Sequence, residues 1–182
     1  VLDDAEFLLE SCVEFYPNNT VVRFDYADVL YKRQKFAESL EQAEKLHNED
    51  PTNLAFSMIM ANCHVGAGNI EAALSIYNKV LQQTPDNPNV LLMLAHALKA
   101  VDKVDEAIAA YQKAYKSKPD FGDAFWSLAN LKTYRFSDAE INMMQRRQTD
   151  EQTALVDRFH FCFALGKAFE DKKDYAVAME YY

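Results

Sequence analysis

The side chains that most often hold metals or act as nucleophiles are few and widely scattered in this chain. The four histidines lack the i, i+4 spacing that puts two metal ligands on one helical face, and the three cysteines form no Cys-x-x-Cys pair. These residues are His47, His64, His96, His160, Cys12, Cys63 and Cys162. The pattern predicts no metal site, no disulfide framework and no histidine- or cysteine-based catalysis. Three free thiols favour a reducing compartment such as the cytoplasm.

Phosphate binding and acid–base chemistry also lack a basis in the sequence. The chain has four glycines, and their one close pair, Gly66 and Gly68, is not followed by Lys-Ser or Lys-Thr. The glycine-rich loops that cradle nucleotide phosphates are therefore absent. Adjacent carboxylates such as Asp3 and Asp4 lie near predicted helix ends, where helix electrostatics and solubility explain them. We predict that this chain has no catalytic residues, needs no cofactor and has no enzymatic activity of its own.

The balance of charge argues against two classes of partner. The chain contains 28 Asp and Glu against 19 Lys and Arg, which gives a net charge of −9. An acidic chain without a basic stripe repels a phosphate backbone, so nucleic acid is disfavoured. The longest apolar stretch, residues 90–98, is far shorter than the roughly 20 residues of a membrane span. The first residues also lack the basic region with which a signal peptide begins.

A single repeat period organises most of the sequence. It is visible in four of the five prolines, Pro17, Pro51, Pro85 and Pro119, which follow one another at a constant interval. With each proline at position 32 of a unit, the regular units are 20–53, 54–87 and 88–121. Alanine or serine occupies positions 8 and 20 of these units, and larger apolar residues occupy positions 7 and 17. This pattern resembles the tetratricopeptide repeat (TPR), in which two antiparallel helices approach closely at the small residues.

The physical pattern agrees with that resemblance. Each unit contains two apolar-periodic stretches of helix length, and the proline ends the second of them. One helix pair cannot bury its apolar face alone, whereas stacked pairs share a core. The resemblance implies an all-α fold, a TPR-like α-solenoid of about eleven antiparallel helices that forms a right-handed superhelix.

The units at either end depart from the regular pattern of this single array. Residues 1–19 match the second half of a unit, residues 122–158 form an irregular 37-residue repeat, and residues 159–182 form a truncated repeat. Because both ends fall inside a unit, we expect a piece of a longer protein. Its end helices are expected to expose apolar faces and to favour self-association.

Two capping-box patterns predict where helices begin in the irregular repeat. The box at residues 137–140 starts its second helix. The buried face of that helix would carry Phe136, Ala139 and Met143, provided that the turn between the two helices is two residues shorter than usual. A second box at residues 149–152 predicts that the following helix begins early and runs long.

The last third of the chain carries a second resemblance. The segments FWSLANLKTYRFSDAE, residues 125–140, and FHFCFALGKAFED, residues 159–171, are not general TPR sequence. Together, over residues 122–182, they look like the last repeats of bacterial TPR-containing sulfotransferases. That resemblance implies a downstream domain that transfers sulfuryl from PAPS and could itself be a partner of these repeats. The phosphosulfate-binding loop of that family has no counterpart here, so no catalytic residue is assigned.

Candidate binding residues follow from the repeat positions. In TPR arrays the first helices line the concave surface, mainly through positions 2, 5, 9, 12 and 13. Position 5 is apolar in all five units: Phe24, Met58, Leu92, Trp126 and Phe163. Position 9 is polar in all five units: Asp28, Asn62, His96, Asn130 and Lys167. An apolar ladder beside a polar one suits an extended or helical peptide, whose backbone an asparagine amide can bind. The alternative is that position 5 packs neighbouring first helices together.

Two functions are compatible with these residues. The first is a protein–protein interaction scaffold that binds a peptide or partner on its concave face. The second is an accessory segment that positions substrate for a sulfotransferase domain. A clamp for C-terminal carboxylates is not supported, because position 5 holds no lysine. In the scaffold hypothesis Trp126 is a main contact on the surface, whereas the neighbouring Phe125 is part of the core.

Overall fold

The computed structural model describes all 182 residues and contains eleven α-helices and no strand. The helices are α1 (Leu2–Phe15), α2 (Thr20–Lys32), α3 (Phe36–Glu49), α4 (Leu54–Gly66), α5 (Ile70–Gln83), α6 (Pro88–Ala100), α7 (Val104–Ser117), α8 (Gly122–Ala129), α9 (Asp138–Thr149), α10 (Leu155–Asp171) and α11 (Tyr175–Tyr181). The predicted all-α class and the number of helices are confirmed. No helix combines the length and the apolar character that crossing a bilayer requires.

Asparagine side chains fix the start of three helices at the same point of the period. The Oδ1 atom of Asn19 accepts from the backbone N–H groups of Val21 and Val22 at 3.1 and 3.2 Å. Asn53 caps α4 and Asn87 caps α6 through equivalent bonds. A short polar side chain here satisfies N–H groups that have no partner inside the helix. The sequence therefore marks the starts of α2, α4 and α6 by an asparagine that recurs in each of the three regular repeats.

The chain divides into two compact units. The first contains Val1–Pro85 with Ala100–Asp102, and the second contains Asp86–Lys99 with Lys103–Tyr182. In the first unit, the small residues at positions 8 and 20 are fully buried, as close helix packing requires. The hydroxyl of Ser39 donates to the carbonyl oxygen of Ala27 at 2.7 Å, which ties α3 directly to α2.

The core of the second unit is aromatic. Phe125 is fully buried, and its ring stacks on Tyr115 of α7 with the centroids 4.4 Å apart. On the other side it meets Phe161 of α10 at 5.4 Å. The side chain of Phe125 therefore packs α8 against both α7 and α10. The prediction that Phe125 is a core residue is confirmed.

The irregular repeat keeps its helix starts but loses part of its first helix. The interval from the start of a first helix to the start of its second helix is identical in the pairs α2–α3, α4–α5, α6–α7 and α8–α9. The turn before α9 is therefore not shortened, which corrects the prediction from the sequence. Instead, α8 ends at Ala129, and residues 130–137 connect it to α9. The capping box of Ser137 and Glu140 is present as predicted.

Because α9 begins at Asp138, its buried face carries other residues than those predicted. Ile141 and Met144 are buried, whereas Ala139 is exposed and Met143 is half-buried. The prediction had counted the helix from Phe136, which is buried but precedes the first helical residue by two positions. Any such offset rotates the face of a helix that meets the core.

The second predicted capping box does not form. Thr149 is the last residue of α9 and Asp150 caps that helix at its C-terminal end. The expectation that the next helix begins early and runs long is nevertheless confirmed. It starts at Leu155, four residues before the repeat boundary expected at residue 159, and its 17 residues make it the longest helix.

Candidate protein-interaction surface

The contact between α8 and α10 determines what the second unit presents on its first helices. Phe121 stands where the earlier repeats have a capping asparagine, so α8 has no cap of its own. The buried carboxylate of Asp157 on α10 replaces it and accepts from the N–H of Gly122 at 2.8 Å. A Cβ atom on Gly122 would lie 2.3 Å from the carbonyl oxygen of Asp157, so glycine is needed for this approach.

Trp126 follows the core residue Phe125 on α8 and points in a different direction. Its side chain is 40% exposed, and one face of the indole stacks on His160 of α10 with the ring centroids 5.6 Å apart. The tryptophan is therefore held on one side and open to solvent on the other. The prediction that Trp126 is a surface residue is confirmed.

Two further aromatic residues of α10 extend this exposed area. Phe159 is 56% exposed and Phe163 is 50% exposed, while Phe161 between them is buried. Residues four apart share one face of a helix, and His160 places Trp126 beside the turn that carries them. We call Trp126, Phe159 and Phe163 the aromatic face. Val156, one turn before Phe159, is exposed as well.

Phe159 was not among the residues proposed from the sequence. Its signal was the alternation of Phe159, Phe161 and Phe163, because on a helix the first and third of these lie together and the second lies opposite. The repeat numbering obscured that signal, since it placed Phe159 at the first position of a unit, before the concave positions.

The other position-5 residues are less accessible. Leu92 is only 3% exposed, so it cannot contact a partner and is removed from the candidate set. Phe24 is half-buried against the cluster of Ala27 and Ile59, and its ring lies 5.9 Å from that of Phe56. Met58 is half-buried. For Phe24 and Leu92 the alternative reading, packing between helices, describes the structure better.

Two of the polar position-9 residues are each hydrogen-bonded to a tyrosine of the second helix of their own repeat. The hydroxyl of Tyr77 donates to Oδ1 of Asn62 at 2.8 Å, and the hydroxyl of Tyr111 lies 2.9 Å from Nδ1 of His96. Burial raises the pKa of Tyr111 to about 12 and lowers the pKa of His96. Burial raises the pKa of Tyr77 as well, so both pairs are neutral at physiological pH, and each links the two helices of its repeat.

The remaining position-9 residues differ in whether their side chains already have a partner within the chain. Asp28 pairs with Lys32 at 2.5 Å, and Lys167 pairs with Asp171, in both cases within one helix. Asn130 is exposed at the C-terminal end of α8, and its side chain makes no hydrogen bond within the chain. Among the five residues, Asn130 alone offers a full amide beside the aromatic face.

A buried carboxylate stabilises the segment that follows α8. Oε1 of Glu140 accepts from the hydroxyls of Tyr115 at 2.9 Å and Tyr134 at 2.5 Å, and Oε2 accepts from the N–H and hydroxyl of Ser137. Burial acts to raise the pKa of Glu140, but these hydrogen bonds outweigh it and hold the pKa below its ordinary value. The connection between α8 and α9 is thereby tied to α7.

No three histidine, cysteine, aspartate or glutamate side chains converge in a way that could hold a metal ion. The three cysteines are free, and Cys63 is buried with its sulfur 3.0 Å from the hydroxyl of Ser39. Burial raises the pKa of Cys63, so its thiol stays protonated.

Known proteins of the same fold cover most of the chain. A crystal structure of MamA superimposes with a TM-score of 0.63 over 96% of this chain and 91% of its own, at 16% identity. The TM-score is 0.69 for BtubC from P. vanneervenii, at 14% identity and 99% and 86% coverage. A thermophilic TPR protein from Thermus thermophilus gives 0.68, at 20% identity and 90% coverage of both chains. These likenesses confirm the TPR-like α-solenoid class.

One curated relative matches in sequence. It is anaphase-promoting complex subunit 3 of Dictyostelium discoideum, 24% identical over 90 residues, which is 50% of this chain and 9% of that protein. Three family models, each described as tetratricopeptide repeat, match residues 24–88, 64–131 and 159–182. Residues 24–131 and 159–182 of this chain are therefore tetratricopeptide repeats.

Proposed function

We propose that this chain is a protein-interaction scaffold that binds a peptide or an extended segment of a partner on the first-helix surface of its second unit. The observation that carries the proposal is the exposure of Trp126 beside Phe159 and Phe163. Contiguous exposed apolar area on a soluble protein marks interaction sites. TPR repeats are protein-binding modules, so the fold and the surface support the same function.

The aromatic face and Asn130 have complementary tasks in this proposal. The indole of Trp126 is amphipathic. Because its ring already stacks on His160, binding of a partner costs little side-chain entropy. Phe159 and Phe163 offer area to apolar side chains of the partner. The free amide of Asn130 both donates to and accepts from a peptide backbone.

The curated relative supports binding to other proteins. One of them is named as a subunit of the anaphase-promoting complex, and this chain spans a small part of its length. We extend from it only the idea of assembly with protein partners.

The proposal is tested by selecting peptides from a random peptide display library with the whole chain as bait. For a selected peptide, Trp126→Ala should weaken binding by at least about 2 kcal/mol, roughly 30-fold. Val21→Ala is the matched control, because Val21 is also an exposed apolar residue but lies on α2, in the first unit. Peptides that bind both variants as tightly as the wild type would contradict the proposed surface.

The alternative, an accessory segment of a PAPS-dependent sulfotransferase, stays a prediction from the sequence of residues 122–182. We propose that this chain alone has no enzymatic turnover, and sulfation of an acceptor by this chain with PAPS would overturn that statement. Reading the coding sequence beyond residue 182 distinguishes the alternatives, because a strand–loop–helix phosphate site there would favour the sulfotransferase. The cytoplasmic location likewise stays a prediction.

A further inference from the structure

A cleft in the first unit is lined by none of the position-5 or position-9 residues. It is bounded by the end of α3, the start of α4 and the end of α5, and it encloses about 240 Å³. Its apolar lining is formed by Pro51, Leu54, Met60, Ile76 and Val80. Pockets for drug-sized ligands measure about 300–1,000 Å³. The cleft therefore suits a group the size of one amino-acid side chain.

Polar groups lie at two depths of this cleft. Ser57 is buried, and its hydroxyl lies 3.3 Å from Nδ1 of His47. Nε2 of His47 has no hydrogen-bond partner within the chain. Lys79 also lines the cleft but is exposed, so its ammonium group lies nearer to the mouth. No aspartate or glutamate lines the cleft.

The lysine at this mouth differs from its counterparts in the neighbouring repeats. Lys45 and Lys113 occupy the same position as Lys79 in the preceding and the following repeat. Lys45 pairs with Glu41 at 2.7 Å, and Lys113 pairs with Asp86 at 3.5 Å. Lys79 forms no ion pair, although the chain carries a net charge of −9. The cleft thus combines an apolar interior with a cation that no internal carboxylate satisfies.

We propose that this cleft binds a carboxylate attached to a single branched apolar group. The carboxylate pairs with the ammonium group of Lys79, and the apolar group contacts Leu54, Met60 and Ile76. The hydroxyl of Ser57, the free nitrogen of His47 and the amide of Gln83, which also lines the cleft, supply the remaining polar contacts. A free carboxylic acid and the C-terminal leucine of a peptide both have this chemistry. The site is independent of the aromatic face, so the two proposals can fail separately.

The test is a titration of the whole chain with 4-methylpentanoate, followed by NMR of methyl groups. The methyl signals of Met60 and Ile76 should shift, and the uncharged 4-methylpentanamide should bind about tenfold more weakly. Lys79→Gln should weaken binding of the acid to the level of the amide. Lys45→Gln is the control, because it removes a lysine at the same repeat position outside the cleft.

A second arm identifies the source of the ligand. N-acetyl-glycyl-leucine that binds more tightly than 4-methylpentanoate assigns the cleft to a peptide C-terminus, and weaker binding assigns it to a free acid. The proposal is overturned if the Met60 and Ile76 methyl signals do not move. Equal affinities for acid and amide, or equal effects of Lys79→Gln and Lys45→Gln, would overturn it as well.

Discussion

At the scale of single residues, two neighbouring aromatic side chains of α8 have opposite surroundings. Phe125 is enclosed by Tyr115 and Phe161, so Phe125→Ala leaves a cavity and should destabilise the fold by about 3–5 kcal/mol. Trp126 is partly exposed and stacks on His160, so Trp126→Ala should cost about 1 kcal/mol, the value of one aromatic contact. Urea unfolding of both variants measures the difference. Equal losses would mean that Trp126 is a packing residue.

Gly122 and Gly166 form a second contrast between similar residues. A Cβ on Gly122 meets the backbone of Asp157, whereas a Cβ on Gly166 meets the ring of Tyr182, which is exposed and can turn aside. Gly122→Ala should therefore destabilise the protein by about 1–3 kcal/mol. Gly166→Ala should change stability by less than about 1 kcal/mol, because the better helix propensity of alanine offsets the rearrangement.

Thermal and urea unfolding of the two glycine variants provide the measurement. If Gly122→Ala is as stable as the wild type, the close contact of α8 with α10 is not required. The aromatic face would then have to be explained without it.

The residues that could be predicted from the sequence are those that obey the repeat period. The buried Phe125 and the exposed Trp126 follow from their positions in the repeat, because adjacent residues on a helix point in different directions. Phe159 and Asp157 could not be predicted in this way. Their roles depend on the additional helical turn at residues 155–158, which no earlier repeat has.

At the scale of elements, the connection between α8 and α9 depends on Glu140. Because its pKa is held below the ordinary value, the ionised form stabilises the fold above about pH 4.5, the unfolded pKa, and this stability is lost as the pH falls through the folded pKa. Glu140→Gln should cost about 2 kcal/mol or more at pH 7. The difference from the wild type should shrink at low pH.

Urea unfolding between pH 3 and pH 7 tests this dependence. Glu44→Gln is the control, since Glu44 is exposed on α3 and should change stability by no more than about 0.5 kcal/mol. A pH-independent difference between Glu140→Gln and the wild type would show that the charge of Glu140 does not stabilise the connection.

Helix boundaries were predictable where local signals agree with the period. Proline ends the second helix of a regular repeat, and asparagine begins the next one. In the irregular repeat the sequence contains a correct capping box at Ser137 but gives no local sign that α8 stops at Ala129. That early end coincides with hydrogen bonds from Tyr115 and Tyr134 to Glu140, and Tyr115 lies on α7, outside the irregular repeat.

At the scale of the whole molecule, the terminal helices expose apolar side chains. Phe7, Leu8 and Phe15 of α1 are exposed, as is Met179 of α11. Such faces favour association, so sedimentation velocity should show concentration-dependent dimers. Phe7→Ser combined with Leu8→Ser should reduce the dimer fraction. Val21→Ser, which changes an exposed apolar residue of α2, is the control. A monomer at all concentrations, or a double variant that associates as strongly as this control, would contradict the prediction.

The fold class follows from the period because each repeat must bury its apolar face against a neighbour. The binding surface does not follow in the same way. Position 5 is apolar in all five units, yet the structure buries Leu92 and exposes Trp126 and Phe163. An apolar residue at position 5 suits both packing and partner binding. Which of the two it serves depends on whether neighbouring helices cover it.

The most direct test of the proposed surface uses the fact that Trp126 is the one tryptophan of the chain. Its indole N–H therefore gives a single, unambiguous signal in a proton–nitrogen NMR spectrum. Titration with a peptide selected by the whole chain should shift that signal with the same affinity that calorimetry reports. If the peptide binds while the indole signal stays unchanged, the aromatic face is not the binding site.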